Sequence, residues 1–141
     1  MPDFHPDRPK SPICPPSDAK FYKGTIWRGV KNPPISEEDF KSHAERNAPN
    51  CDRGNCEHWG LSIWISEEAV KHARELHPKM IGQRWHIAAG DVNASDGKIM
   101  ATPSDGQPDH HTFWKYHGHS ILSKFKIVMP PLPKPPKPAK S

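Results

Sequence analysis

"HWGLSIWISEEAVKHARELHP", residues 58–78, is the stretch whose reading decides the fold of this chain. Its first part is rich in β-branched and aromatic side chains and predicts a strand over 58–65. Ser66 then stands as a helix N-cap, with Glu67 and Glu68 in the first turn and Pro78 beyond the end. Ala69, Val70, Ala73 and Leu76 recur at helical spacing and predict the buried stripe of that helix. Everything downstream is strand-like: 83–92, 97–101, 110–116 and 120–129, separated by Gly, Asn, Asp or Pro.

Upstream, "KGTIWRGV" (23–30) predicts a first strand that ends at Arg28-Gly29. "SEEDFKSHAERN" follows, with Ser36 as N-cap and acids in its first turn. It predicts a helix running to about Arg46, and a loop rich in Asn, Gly and Pro comes next. The order β-α-β-α-β-β-β-β places the chain in the α+β class, with a small, mostly antiparallel sheet and two early helices. It argues against a doubly wound nucleotide fold, in which strands and helices keep alternating. No glycine-rich phosphate loop followed by lysine is present.

The chain has 141 residues, enough for one domain. Six prolines fall in residues 1–19 and six more in 130–141, so residues 1–20 and 130–141 are expected to be disordered or polyproline II tails around a single domain, 21–129. The net charge is +4, but 21–129 carries 14 basic and 13 acidic residues, so the domain itself is nearly neutral. That balance gives no strong nucleic-acid signature. No apolar run approaches a membrane span, and no hydrophobic leader opens the chain, so a soluble, cytoplasmic protein is expected. Three cysteines, an odd and low count, fit a reducing compartment rather than a disulfide framework.

Several groups can carry chemistry. Arg28 beside Gly29 offers a planar fork of donors for a phosphate or carboxylate, with room for close approach; the plainer reading is an exposed strand arginine at a turn. Ser62 has no evident structural duty, and Trp64 on the same strand face is either a stacking platform or a core residue. These features resemble the ADP-ribosyltransferase superfamily: a strand ending in Arg-Gly, a Gly-Leu-Ser strand, then a helix opened by a small polar residue. The resemblance implies a split pair of small sheets with NAD bound in the cleft between them, Arg28 and Gly29 on the cofactor, and Ser62 lining the nicotinamide pocket. It implies transfer of ADP-ribose, as by a toxin or effector. One departure stands out: the family commonly uses a glutamate on a late strand, and here no Asp or Glu follows Asp109. Asp109 or His111 would have to take that role, with His110 facing the ligand.

"DHHTFWKYHGH" (109–119) puts His110, Thr112 and Trp114 on one strand face and Asp109, His111 and Phe113 on the other. A carboxylate at 109 can orient an imidazole at 111. The single His-x-Thr triplet lacks the second copy that two-histidine phosphoesterases require. Cys51, Cys56 and His58, in "CDRGNCEH", form a C-x4-C-x-H set that either holds zinc with a fourth ligand or is a loop with free thiols. The alternatives to an NAD enzyme are therefore a small zinc protein and a non-enzymatic interaction module. The latter would use the P-x-x-P at Pro130–Pro133 to dock a protein partner, if that tail is more than a tether.

Overall fold

The computed structural model describes residues 3–133. Among the described residues there are seven strands and one α-helix: β1 (Lys20–Phe21), β2 (Gly24–Val30), β3 (Leu61–Ile63), α1 (Glu67–Leu76), β4 (His86–Val92), β5 (Gly97–Ala101), β6 (His111–Lys115) and β7 (Phe125–Met129). They form two antiparallel sheets, ordered β1-β5-β6-β3 and β2-β4-β7. One bridge ties the sheets together: Trp27 and Trp64 exchange backbone hydrogen bonds of 2.9 Å in both directions. The α+β expectation holds.

Strand alternation explains where the core sits. Ile26, Val30, Ala88, Val92 and Phe125 of one sheet meet Leu61, Ile63, Ile99 and Phe113 of the other in a single apolar cluster. The opposite face of the three-stranded sheet is covered by α1, through Trp64, Val70, Ala73, Ile81 and Ile87. Ser66 caps α1 as its sequence requires, its Oγ accepting from the Ala69 amide at 3.0 Å. The predicted stripe differs at its end. Leu76 is 46% exposed, while Arg74 is 6% exposed and donates to the carbonyls of Gly82 and Pro130. A π-turn at Pro78–Gly82 and the segment after β7 bring those carbonyls over the helix, so a cation with backbone acceptors displaces the leucine from the interior.

The first predicted helix is not formed. Only a 3-10 turn, Glu37–Phe40, is present, with the Asp39 carboxylate accepting from the Ser36 amide at 2.8 Å. A second capping pair follows at once: Ser42 Oγ accepts from Glu45, and Glu45 Oε1 accepts from Ser42. Two helix-start signals six residues apart restart the chain at Ser42 instead of extending one helix.

The amino-terminal tail also departs from expectation. Residues 3–19 lie against the outer face of the four-stranded sheet rather than as a disordered tail. Cys14 is 2% exposed, joins Ala19, Ala44, Trp59 and Trp114 in a third apolar cluster, and is disulfide-bonded to Cys56. Phe4 stacks near Tyr116 and His5 near Trp59, each with ring centroids 4.9 Å apart. Composition concealed this because proline dominates the segment, while a few aromatic and cysteine anchors do the packing. The disulfide departs from the reading of the three cysteines as a set without a disulfide framework. Among the described residues no helix is long and apolar enough to cross a membrane. Of the carboxy-terminal tail, residues 130–133 are described, with the Leu132 amide donating to Gly82 at 2.6 Å; the remainder of that expectation lies outside the described residues.

A buried carboxylate locks the far end of the four-stranded sheet. Asp96, fully buried in the β4–β5 turn, accepts from Lys124 and from His119, each at 2.6 Å, and from the Asn93 amide at 2.8 Å. Burial pushes this carboxyl up, but the bonds from Lys124, His119 and Asn93 outweigh it and hold the group below its ordinary value. A depressed folded-state value means the stabilisation is present above the unfolded carboxylate's value and is lost as pH falls through the folded one. Asp96→Asn is therefore expected to cost about 2–4 kcal/mol at pH 7 and much less near pH 2. Urea unfolding of both proteins at the two pH values checks this; an equal loss at both would refute the assignment.

Candidate functional site

Arg28 is carried by β2 on the face that also bears Ile26 and Val30, at the seam where the neighbouring Trp27–Trp64 bridge joins the two sheets. Its Nε donates to the Asp39 carbonyl at 2.6 Å and its Nη1 to the Ser62 carbonyl at 2.8 Å. Among the described residues no carboxylate forms an ion pair with it, and Nη2 makes no protein hydrogen bond. Burial pulls the guanidinium down to about 10, the Arg46 charge adds to this, and Asp39 opposes both. Arg28 remains charged at neutral pH, a half-buried cation with spare donor capacity.

Ser62 lies on β3 between the buried Leu61 and Ile63, so its side chain points away from the inter-sheet core. Its Oγ is 2.9 Å from His110 Nε2. His110 Nδ1 lies 2.8 Å from Thr102 Oγ1 and 3.2 Å from the Thr102 carbonyl, and Thr102 Oγ1 lies 2.8 Å from buried Thr112 Oγ1. If Nδ1 carries the proton toward the Thr102 carbonyl, Nε2 is an acceptor and the Ser62 hydroxyl donates to it. Burial lowers His110, only partly offset by the Thr102 bond and Glu57, so the imidazole is neutral and basic at pH 7. Arg28 and His110 thus both contact Ser62, Arg28 at its carbonyl and His110 at its hydroxyl.

The other expected site residues separate from these. Asp109 does not orient His111. Its carboxylate pairs with His72 Nδ1 at 2.7 Å, linking the loop before β6 to α1, while His111 Nδ1 is 3.2 Å from the Asp109 carbonyl. His111 lines a separate hollow of about 290 Å³ with Phe21, Tyr22, Ile65 and Met100. Neighbouring residues on a strand face opposite ways, and α1 supplies Asp109 with a nearer partner than its own strand does. Trp64 is 5% exposed in the cluster under α1, so it is a core residue and offers no stacking face. Gly29 does not open the strand to a ligand: the Trp85 ring covers it, and a Cβ there would sit 3.1 Å from that ring.

The expected zinc set is also dismantled. Cys56 is bonded to Cys14, His58 Nδ1 accepts the Asp52 amide at 2.9 Å, and Cys51 is the free cysteine. A disulfide sulfur is no thiolate, so Cys51, Cys56 and His58 do not make a tetrahedral zinc site here.

Compared with known proteins, the chain matches no family model, no curated protein and no solved structure.

Residues that sequence reasoning missed act electrostatically on or with Arg28. His43 is lowered by burial, then by the charges of Arg46 and Arg28 and by His58, and its ring centroid is 6.4 Å from that of His58. The charges of Arg28 and Arg46 therefore act on His43, which lies beside His58. Their spacing in sequence carries no signal, because β2, the loop after Phe40 and the turn before β3 become neighbours only on folding.

Proposed function

We propose that the seam around Arg28 binds the diphosphate of NAD or a related nucleotide, and that the site acts in ADP-ribosyl transfer. The observation that carries this reading is that Arg28 and His110, from distant segments, both hydrogen-bond Ser62, with the charge of Arg46 acting on Arg28 and on His43. The donor set suits the diphosphate: Arg28 has spare donors, and the charge of Arg46 outweighs that of Asp39 at the guanidinium. Trp64 supplies no ring for nicotinamide, which leaves that half of the ligand to the surfaces around Ser62.

When bound, NAD supplies an N-glycosidic bond whose cleavage releases neutral nicotinamide. The protein's part is to hold the diphosphate with Arg28, to position the sugar near Ser62, and to take a proton from the attacking hydroxyl or water at His110 Nε2. Neutral His110 can accept that proton, but it lacks the negative charge with which a carboxylate stabilises an oxocarbenium-like transition state. That absence supports a second reading, a nucleotide-binding module without turnover.

Incubating the purified chain with NAD and measuring free nicotinamide separates the two. Release above the uncatalysed rate supports the transferase; NAD binding without release supports the binding module; neither binding nor release sinks both.

A further inference from the structure

Three side chains from distant parts of the sequence meet where the amino-terminal segment crosses the sheet. His5 comes from that segment, Glu45 from the second capping turn, and His117 from the turn after β6. Each offers one ligand atom, and these atoms all lie within 4.8 Å of one another. We propose that His5, Glu45 and His117 form a binding site for a divalent transition metal of borderline softness, zinc above all. The site is separate from the Arg28 seam and independent of the function proposed there.

The chemistry of the donors selects the ion. Two imidazoles and one carboxylate suit zinc and its neighbours; calcium and magnesium prefer sets built from oxygen. Three protein ligands leave one position of a tetrahedron open, the arrangement of reactive rather than purely structural zinc sites. Zinc–nitrogen bonds of about 2.0–2.1 Å place tetrahedral ligand atoms about 3.3 Å apart, so binding requires a modest contraction.

The surroundings fit a single ion. His5 and His117 line a cavity of about 10 Å³ with Phe4, Arg8, Glu45, Trp59, Trp114 and Lys115, close to the volume of one water-sized occupant. The Asp3 carbonyl accepts the His117 amide at 2.8 Å, and the two histidine rings meet edge-on with centroids 4.6 Å apart, so the segment is fastened beside the site. Glu45 uses Oε1 on the Ser42 amide, which orients the carboxylate and leaves Oε2 for an ion.

Two features set the character of the site. Arg8 and Lys115 are cations beside it, but both are drawn to other acceptors. Arg8 bonds the Cys14 carbonyl at 2.7 Å and pairs with Asp3 at 3.5 Å, and Lys115 bonds the His119 carbonyl at 2.7 Å. Their charge favours an anion, such as hydroxide or a substrate carboxylate, as fourth ligand. His5 Nδ1 also accepts the Asp7 amide at 3.1 Å, which in a neutral ring puts the proton on Nε2. Either nitrogen can take the ion only when this bond is given up, so loading should loosen residues 5–7.

Titration calorimetry of the full oxidised chain with zinc chloride tests the proposal. One zinc per chain is expected. Glu45→Gln, which keeps the Ser42 bond, and His117→Ala, at an exposed turn, are each expected to weaken binding at least about tenfold. Cys51→Ser is expected to bind as wild type does. Cobalt(II) gives a second readout: a visible band of tetrahedral character that both ligand variants lose. No zinc binding by the wild type, or wild-type binding by a folded Glu45→Gln or His117→Ala protein, would overturn the assignment.

Discussion

Reduction of the Cys14–Cys56 bond is expected to lower the unfolding free energy by about 2–4 kcal/mol. The two cysteines are 42 residues apart, and closing a loop of that size restricts the unfolded chain strongly. The bond also fastens the amino-terminal segment over Trp59 and Trp114, where Cys14 is one of five buried members of the cluster. Denaturant midpoints with and without reductant give the measurement, and Cys14→Ser with Cys56→Ser gives the control. The double variant should match the reduced protein and be insensitive to reductant. Equal midpoints for reduced and oxidised wild type would show that the Cys14–Cys56 bond contributes nothing to stability.

The second large effect concerns catalysis. His110→Ala is expected to reduce nicotinamide release by about 10²–10⁴-fold, the usual contribution of a positioned general base. Affinity for NAD should change little, because the diphosphate is assigned to Arg28. The pH profile adds a readout that a purely structural histidine would not move. Burial keeps His110 below the ordinary histidine value, so its basic form persists as pH falls, and the acid limb of the rate should lie below about 6.5. Ser62→Ala removes the hydroxyl on Nε2 and should lower the rate while leaving that limb in place. A His110→Ala protein that retains wild-type turnover would remove His110 from the reaction.

The sequence carried the elements whose signals are local. The cap at Ser66, the acids after it and the proline beyond α1 all act within one turn, and the strands around Arg28, at 97–101 and at 110–116 read closely from their side chains. By contrast, 120–129 is a strand only over Phe125–Met129 after a 3-10 turn, and 58–65 only over Leu61–Ile63. The failures share one cause. Whether Ser36 opens a long helix depends on Ser42 and Glu45 offering a competing start, and whether Leu76 or Arg74 is buried depends on carbonyls that arrive from Gly82 and Pro130. Trp64 was open to two readings, and only the packing under α1 decides between them.

The candidate site was legible to a similar degree. Arg28, Ser62 and His110 were singled out, and in the fold Arg28 bonds the Ser62 carbonyl and His110 the Ser62 hydroxyl. The split of His110 and His111 onto different sides follows from strand alternation alone. What stayed hidden was contributed by irregular segments: His43 and Arg46 after a 3-10 turn, and His5 on a proline-rich segment that composition made look unstructured. Long-range pairing of loops leaves no periodic trace in sequence.

The most direct test of the central claim is a calorimetric titration of the folded wild-type chain and of Arg28→Ala with NAD. The wild type should bind one NAD. The variant, folded by circular dichroism, should bind about 10–100-fold more weakly, the loss of one hydrogen bond between a guanidinium and a phosphate oxygen. Arg28→Lys should fall between them, because it keeps the charge without the planar fork. No binding by the wild type, or equal binding by the wild type and Arg28→Ala, would contradict the assignment of this seam as a nucleotide site.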